Sequence, residues 1–328
     1  MTTLHGHASV PVSRASRLHR ARRLGKRFIT NKSAAIGIGL LGFFVLLSLL
    51  HPVLMETVWA SDQMAYRPVA GYDTSIANHP APPSLRHLLG TDTLGRDVLS
   101  MLMVSLRPTF VSAMIAAAII GFTSILASSA AATIRGPVDT LTNLVSESLL
   151  LLPAPVVIIV AMIAWPPDVF NHIHAGLLYG FLAGLSTATI VLRTQALSIM
   201  GRPFVDASRV AGSRSWRIIR KELIPHLIPL AIVQMMVGVV GVIVATAFAQ
   251  YLTNPDDTVG LGTMLYSGLT FQGFFITTVA WNVLLAAALS ITGLSAAFYL
   301  IGRGITQITD PENLAADRET IEVAATSA

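Results

Sequence analysis

Between Arg107 and Arg135 the chain carries no charged side chain. A helix that crosses a bilayer needs roughly 20 consecutive, mostly apolar residues, and this run is long enough. Five further runs resemble it: Ala34 to about Val58, Glu147 to Asp168, Asp168 to Arg193, Glu222 to about Leu252, and Phe274 to Ile301. The spacing predicts an all-α integral membrane protein with six transmembrane helices. Composition agrees, since 53% of the 328 residues are hydrophobic and 12% charged, against about a quarter charged in soluble domains. The first run is too long, and too richly flanked by cations, for a cleaved signal peptide.

The distribution of cations orients the spans. Eight of the 22 Lys and Arg residues precede the first span: Arg14, Arg17, Arg20, Arg22, Arg23, Lys26, Arg27 and Lys32. Arg135, the seven from Arg193 to Lys221, and Arg303 and Arg318 fall on the same side if the spans alternate. Only Arg67, Arg86, Arg96 and Arg107 fall on the other. Both termini are therefore expected in the cytoplasm, with a long loop between the first two spans outside. The expected division is a basic tail over 1–33, a first span over 34–58, an external loop over 59–106, a transmembrane domain over 107–311 and a polar tail over 312–328. That last tail is expected to be disordered.

Several chemistries are excluded by what is missing. With no cysteine there is no disulfide, no thiolate nucleophile and no cysteine-based metal site. No phosphate-binding G-x-x-x-x-G-K-[ST] loop, no H-E-x-x-H and no G-x-S-x-G occurs. His172, His174 and Asp168 cluster near a membrane edge; histidines at i and i+2 diverge on a helix, so interfacial polar residues are the expected reading and no metal site is assigned. Glu147 is expected at the cytoplasmic start of the third span, an interfacial acid. The span interiors hold essentially no charge, whereas a proton-coupled carrier usually needs a buried ionisable group at the midplane. A stand-alone secondary carrier is therefore disfavoured, and the net charge of +5 follows from topology without nucleic acid.

The most distinctive stretch is PFVDASRVAGSRSWRIIRKELIP, Pro203 to Pro225. Pro203 suits the first turn of a helix, where its missing N–H costs nothing, and Asp206 favours the positive end of the helix dipole. Gly212 reads as the helix stop, because glycine takes up the left-handed conformation cheaply. Ser213 or Ser215 is expected to cap a second helix. In it Trp216, Ile219 and Leu223 would share one face, and Arg217, Arg220 and Lys221 another. Pro225 and Pro229 would then mark the mouth of the fifth span. The segment reads either as an interfacial helix on anionic lipid or as a docking element for a cytoplasmic partner.

At this point the sequence resembles a known family. D-A-S-R-V-A-G, Asp206 to Gly212, is similar to the E-A-A-x-x-x-G loop of bacterial ABC-importer membrane subunits. H-L-L-G-T-D-T-L-G-R-D-V-L-S, His87 to Ser100, resembles the segment before the second span in dipeptide/oligopeptide permease subunits of the "C" type. I-G-R-G-I-T-Q-I-T-D-P, Ile301 to Pro311, is similar to the ending of that group. The resemblance implies the type I ABC importer permease fold and a complex with a second homologous permease, two cytoplasmic ATP-binding subunits and an extracytoplasmic solute-binding protein. ATP and Mg would be bound by the partner ATPases, leaving this chain without catalysis or cofactor. Carried over onto the matching positions, Asp206, Ala207, Ser208, Arg209 and Gly212 would form the ATPase-coupling element, with coupling helices over about 202–224.

Two positions depart from the pattern: Asp206 stands for the usual Glu, and Ser208 for the second Ala. The run after the fifth span, A-Q-Y-L-T-N-P-D-D-T-V-G-L-G-T-M-L, also departs, in a loop that would face the translocation mouth. The implied solute is a di- or oligopeptide, with nickel chelates or another small polar solute as the alternative. In the external loop the motif residues are Gly90, Thr91, Asp92, Gly95, Arg96 and Asp97. Thr91 or Asp92 is expected to cap a short helix near Leu94, and Arg96 to pair with Asp97.

Overall fold

The computed structural model describes residues 30–309 except 135, 167–168, 254–257, 270, 273–274 and 277–279. Among the described residues five helices are long and apolar enough to cross a membrane: α1 (Lys32–Glu56), α2 (Val98–Ile134), α5 (His172–Met200), α7 (Ser215–Thr253) and α9 (Trp281–Thr309). Between α2 and α5 lie α3 (Pro137–Leu150) and α4 (Ala154–Ala164), bent by 74° and forming at most one further span. The sequence reading puts one span over Glu147 to Asp168. Pro153 and Pro155 instead interrupt the helix, each lacking the N–H that continuation requires. Glu147 consequently sits near the end of α3, exposed and accepting from Asn143. Short helices α6 (Pro203–Val210) and α8 (Leu261–Gly268) complete the helical set. The strands β1 (Phe271–Gln272) and β2 (Phe275–Ile276) form a small antiparallel hairpin.

Helix α2 is the axis of the bundle. Its 37 residues span about 55 Å at 1.5 Å per residue. It begins at Val98 and carries Arg107 within it, whereas the charge-free run alone places the start after Arg107. Leu106, Ala113, Ala116 and Ala117 of α2 meet Val239, Val242 and Ile243 of α7, Leu294 and Phe298 of α9, and Phe44 of α1. Several of its hydroxyls cost little in this apolar setting because they donate back one turn, Ser105 to Met101, Thr109 to Ser105 and Thr123 to Ile119, at 2.7–2.8 Å.

A close helix contact runs along Gly176, Gly180 and Gly184 of α5, spaced as a doubled G-x-x-x-G. Added Cβ atoms would stand 2.6 Å from Ser112 O, 2.7 Å from Ile119 Cβ and 2.1 Å from Thr123 Oγ1 of α2. Small residues are thus a geometric requirement for α5 to lie on α2. Many large apolar side chains face outward, Leu46, Met114, Phe122 and Leu289 among them. In a bundle of spans this length such surface belongs against lipid or another membrane chain.

Candidate functional site

Two structured regions stand at opposite ends of α2. One is the loop over 57–97, before α2 begins. The other is the segment over 202–224, which packs beside Ala132 near its end.

In the loop, the chain reverses around Gly90 and Gly95, which hold φ of +76° and +80°, angles that side-chain-bearing residues avoid. Asp92 fixes this turn from within. Its Oδ1 accepts from the amides of Leu94 and Arg96, and its Oδ2 from Arg96 Nε at 2.8 Å and from the Arg96 terminal nitrogen at 2.6 Å. Arg96 thus pairs with Asp92, where the sequence reading pairs it with Asp97. No short helix starts at Leu94. Thr91 bridges to Asp97 instead, and its hydroxyl accepts from the Ala81 amide.

Asp97 is occupied elsewhere. Its Oδ2 accepts from the Ser100 amide, capping the first turn of α2, while its Oδ1 lies 2.8 Å from His87 Nδ1. The other ring nitrogen, Nε2, lies 3.0 Å from Asp73 Oδ2. All three side chains are buried, His87 at 0%, Asp73 at 2% and Asp97 at 1% exposure. Arg86 completes the cluster, binding Asp73 through Nε at 2.6 Å and also pairing with Asp62. The hydrogen bond to Asp97 raises the His87 pKa against the opposing cost of burial. Burial also pushes Asp73 upward, but hydrogen bonds from Ser75 and His87 outweigh it and hold the carboxyl well below the usual range. The partner Asp73 escapes sequence reasoning because nothing local marks it.

At the other end, α6 starts with Pro203 in its first turn and Asp206 close behind, in keeping with the sequence reading. It ends in a doubly hydrogen-bonded stop: Ser213 N donates to Ser208 O at 3.0 Å and Gly212 N to Arg209 O at 2.9 Å, with Gly212 at φ +78°. Val205 is the anchor, buried among Ala196, Ile199, Met200, Ile218, Leu223 and Leu227. Asp206 is 64% exposed and pairs with Arg209 at 3.2 Å. Ala207 and Gly212 are exposed, Ser208 is half-buried, and Val210 is 90% exposed.

The next helix departs from expectation in two ways. Its N-cap is Arg214, whose side chain makes no cap bond, so neither Ser213 nor Ser215 caps it. This helix is the start of α7 and runs unbroken through a π turn at Ile219–Leu223, so that Pro225 and Pro229 lie within a helix rather than at its mouth. The wider turn resets the register. Ile218, Leu223 and Leu227 face inward, and Trp216, expected beside Ile219 and Leu223, stands 64% exposed.

One cross-helix ion pair braces this half of the bundle. Arg193 of α5 grips Asp139 of α3 with Nε and a terminal nitrogen, at 2.6 and 2.8 Å. A cavity of about 750 Å³ opens between α4, α5 and α7 at the loop end, lined by Trp165, Phe170, Asn171, His172, Thr246 and Gln250 among others. Among the described residues no three His, Asp or Glu side chains converge to hold a metal. His174 is engaged with the Asn171 cap of α5, and Asp168 lies outside the described residues.

The family model described as "Binding-protein-dependent transport system inner membrane component" matches residues 123–312, more than half of the chain. The chain belongs to this family. It is a multi-pass membrane component of a transport system, and its family is one of permeases rather than enzymes. Over 289 residues it is 26% identical to the oligopeptide transport system permease protein OppC of Bacillus subtilis, covering 87% of this chain and 88% of that one. It is 28% identical over 289 residues to the dipeptide transport system permease protein DppC of the same organism, covering 88% and 84%. The dipeptide transport system permease protein DppC of Escherichia coli is 29% identical over 290 residues, covering 87% and 91%.

Proposed function

We propose that this permease is one of two membrane-spanning subunits of an ATP-driven importer of di- or oligopeptides. An extracytoplasmic binding protein delivers the solute, two ATPases work from the cytoplasm, and α3 and α4 together make the sixth span. The observation that carries this reading is the form of α6 and its stop. The element is anchored from below by Val205 and presents Asp206, Ala207 and Val210 outward. An apolar residue left 90% exposed on an ordered element is surface made to be covered. The cation count puts this face, both termini and the seven residues from Arg193 to Lys221 in the cytoplasm, where the ATPases are. Peptide is the solute named in the relatives, and the cavity beside Gln250 and Asn171 offers amide groups on its path.

Closure of the ATPases on ATP would move α6, and α6 is fastened to α7 through Ile218 and Leu223 and to α5 through Ile199 and Met200. Motion at the handle is therefore transmitted to helices that line the cavity. Replacing Ala207 with Trp changes an exposed position and leaves the anchor intact. Co-purification with the ATP-binding subunits and peptide uptake should both fall by at least about tenfold, an interface effect of about 1.4 kcal/mol, while membrane accumulation of the chain stays at the wild-type level. Uptake and co-purification at wild-type level in that variant would refute the coupling role.

A further inference from the structure

A neutral imidazole has one donor nitrogen and one acceptor nitrogen, and an ionised carboxylate only accepts. At His87 both ring nitrogens face carboxylate oxygens, Nδ1 at 2.8 Å from Asp97 and Nε2 at 3.0 Å from Asp73. Both contacts are hydrogen bonds only if the site holds one proton more than a neutral histidine between two carboxylates. Asp73 already accepts from the Ser75 amide and hydroxyl and from Arg86, which keeps that carboxylate ionised. Asp97 accepts from the Ser100 amide. The extra proton therefore belongs on the ring.

We propose that His87 is a proton-dependent latch: as an imidazolium it ties Asp73 of the loop to Asp97 at the first turn of α2, and loss of its proton frees the loop. The two carboxylates come from opposite sides of the folded loop, so the ring is the tie between them. Tyr66 covers the ring at 5.3 Å and donates to Arg86 O at 2.7 Å. From α1, His51 reaches the site through Ser100 Oγ at 2.9 Å. Among the described residues, Arg86 and Asp62 also face it, whereas Arg96 is turned away onto Asp92.

The direction of the pH response follows. His87 holds its proton more tightly in the folded loop than a free histidine does. The latch is therefore complete below about pH 6.5, the ordinary histidine value, and is lost as pH rises through the elevated one. Asp73 is displaced the opposite way, so its part fails only in strong acid. The loop is locked in mild acid and loosens as pH rises through the elevated His87 value.

The test is amide hydrogen exchange over residues 84–100 of the full chain in membranes, from about pH 6 to about pH 9 and corrected for intrinsic rates. The wild type should lose about tenfold or more in protection across that range. His87→Gln should exchange fast and without pH dependence, because a carboxamide cannot donate at both ends. Asp97→Asn decides the matter even if His87→Gln fails to accumulate. Its oxygen can keep the Ser100 amide while its new amide donor faces the acceptor nitrogen of a neutral ring, so protection should persist and the pH dependence should vanish. A side chain that merely filled space would lower protection without changing its pH dependence. Flat protection in the wild type, or a wild-type pH profile in Asp97→Asn, would overturn the latch.

Discussion

The two ends of α2 are built on opposite principles. The loop over 57–97 buries charge: His87, Asp73, Asp92 and Asp97 are all nearly inaccessible, and each is satisfied by named partners. The segment over 202–224 buries carbon: Val205, Ile218 and Leu223 hold it down, and its charges face out. A buried polar network tolerates little displacement, since each group moved off its partner pays its full desolvation cost. An apolar anchor is non-directional and slides at lower cost. The first construction suits a part that keeps its shape, the second a part that is moved by something gripping it from outside.

The comparison is broken most directly at Asp97. Asp97→Ala leaves the His87 imidazolium with one partner and the Ser100 amide with none. Breaking such a buried pair costs about 3–5 kcal/mol, and thermal unfolding of the purified chain should show the loss. Asp97→Asn, which keeps the acceptor for Ser100, should recover part of it. At the other end, Leu223→Ala removes a fully buried side chain and should cost about 2–5 kcal/mol, but without pH dependence. Equal pH dependence in the two variants would erase the distinction between the ends.

The sequence made some of this visible and hid the rest for identifiable reasons. Runs free of charge give away the long helices, because the bilayer fixes both their length and their polarity. Pro203 and Gly212 give away the limits of α6, because each acts on its own backbone. The face of the next helix was not legible in the same way. A π turn adds a residue to one turn, so a 3.6-residue period drawn through Trp216, Ile219 and Leu223 catches only Leu223 of the buried set Ile218, Leu223 and Leu227. The latch is less legible still. Asp97 and Arg96 are neighbours whose opposite signs suggest a pair, yet the turn at Gly95 folds Arg96 back to Asp92 and leaves Asp97 for His87. The spacing of the glycines at 176, 180 and 184 went unread in the sequence, and the structure shows that it lets α5 lie on α2.

Smaller effects sharpen the contrast inside the handle itself. Gly212→Ala meets no atom within 4 Å of the new Cβ, so its cost comes from the left-handed backbone alone. That cost is about 1–2 kcal/mol, expressed as fraying of α6, and peptide uptake per ATP hydrolysed should decline with it. Asp206→Asn is the mildest change. Its partner Arg209 is itself exposed, and pairs of this kind contribute at most about 1 kcal/mol, so unfolding should shift barely at all. If Asp206 serves the ATPase and not its own helix, ATPase stimulation and uptake should still fall in this variant while its thermal unfolding stays at the wild-type value. Unchanged uptake with an intact helix would assign the carboxylate to the α6 dipole instead, leaving Ala207 and Val210 as the gripped surface.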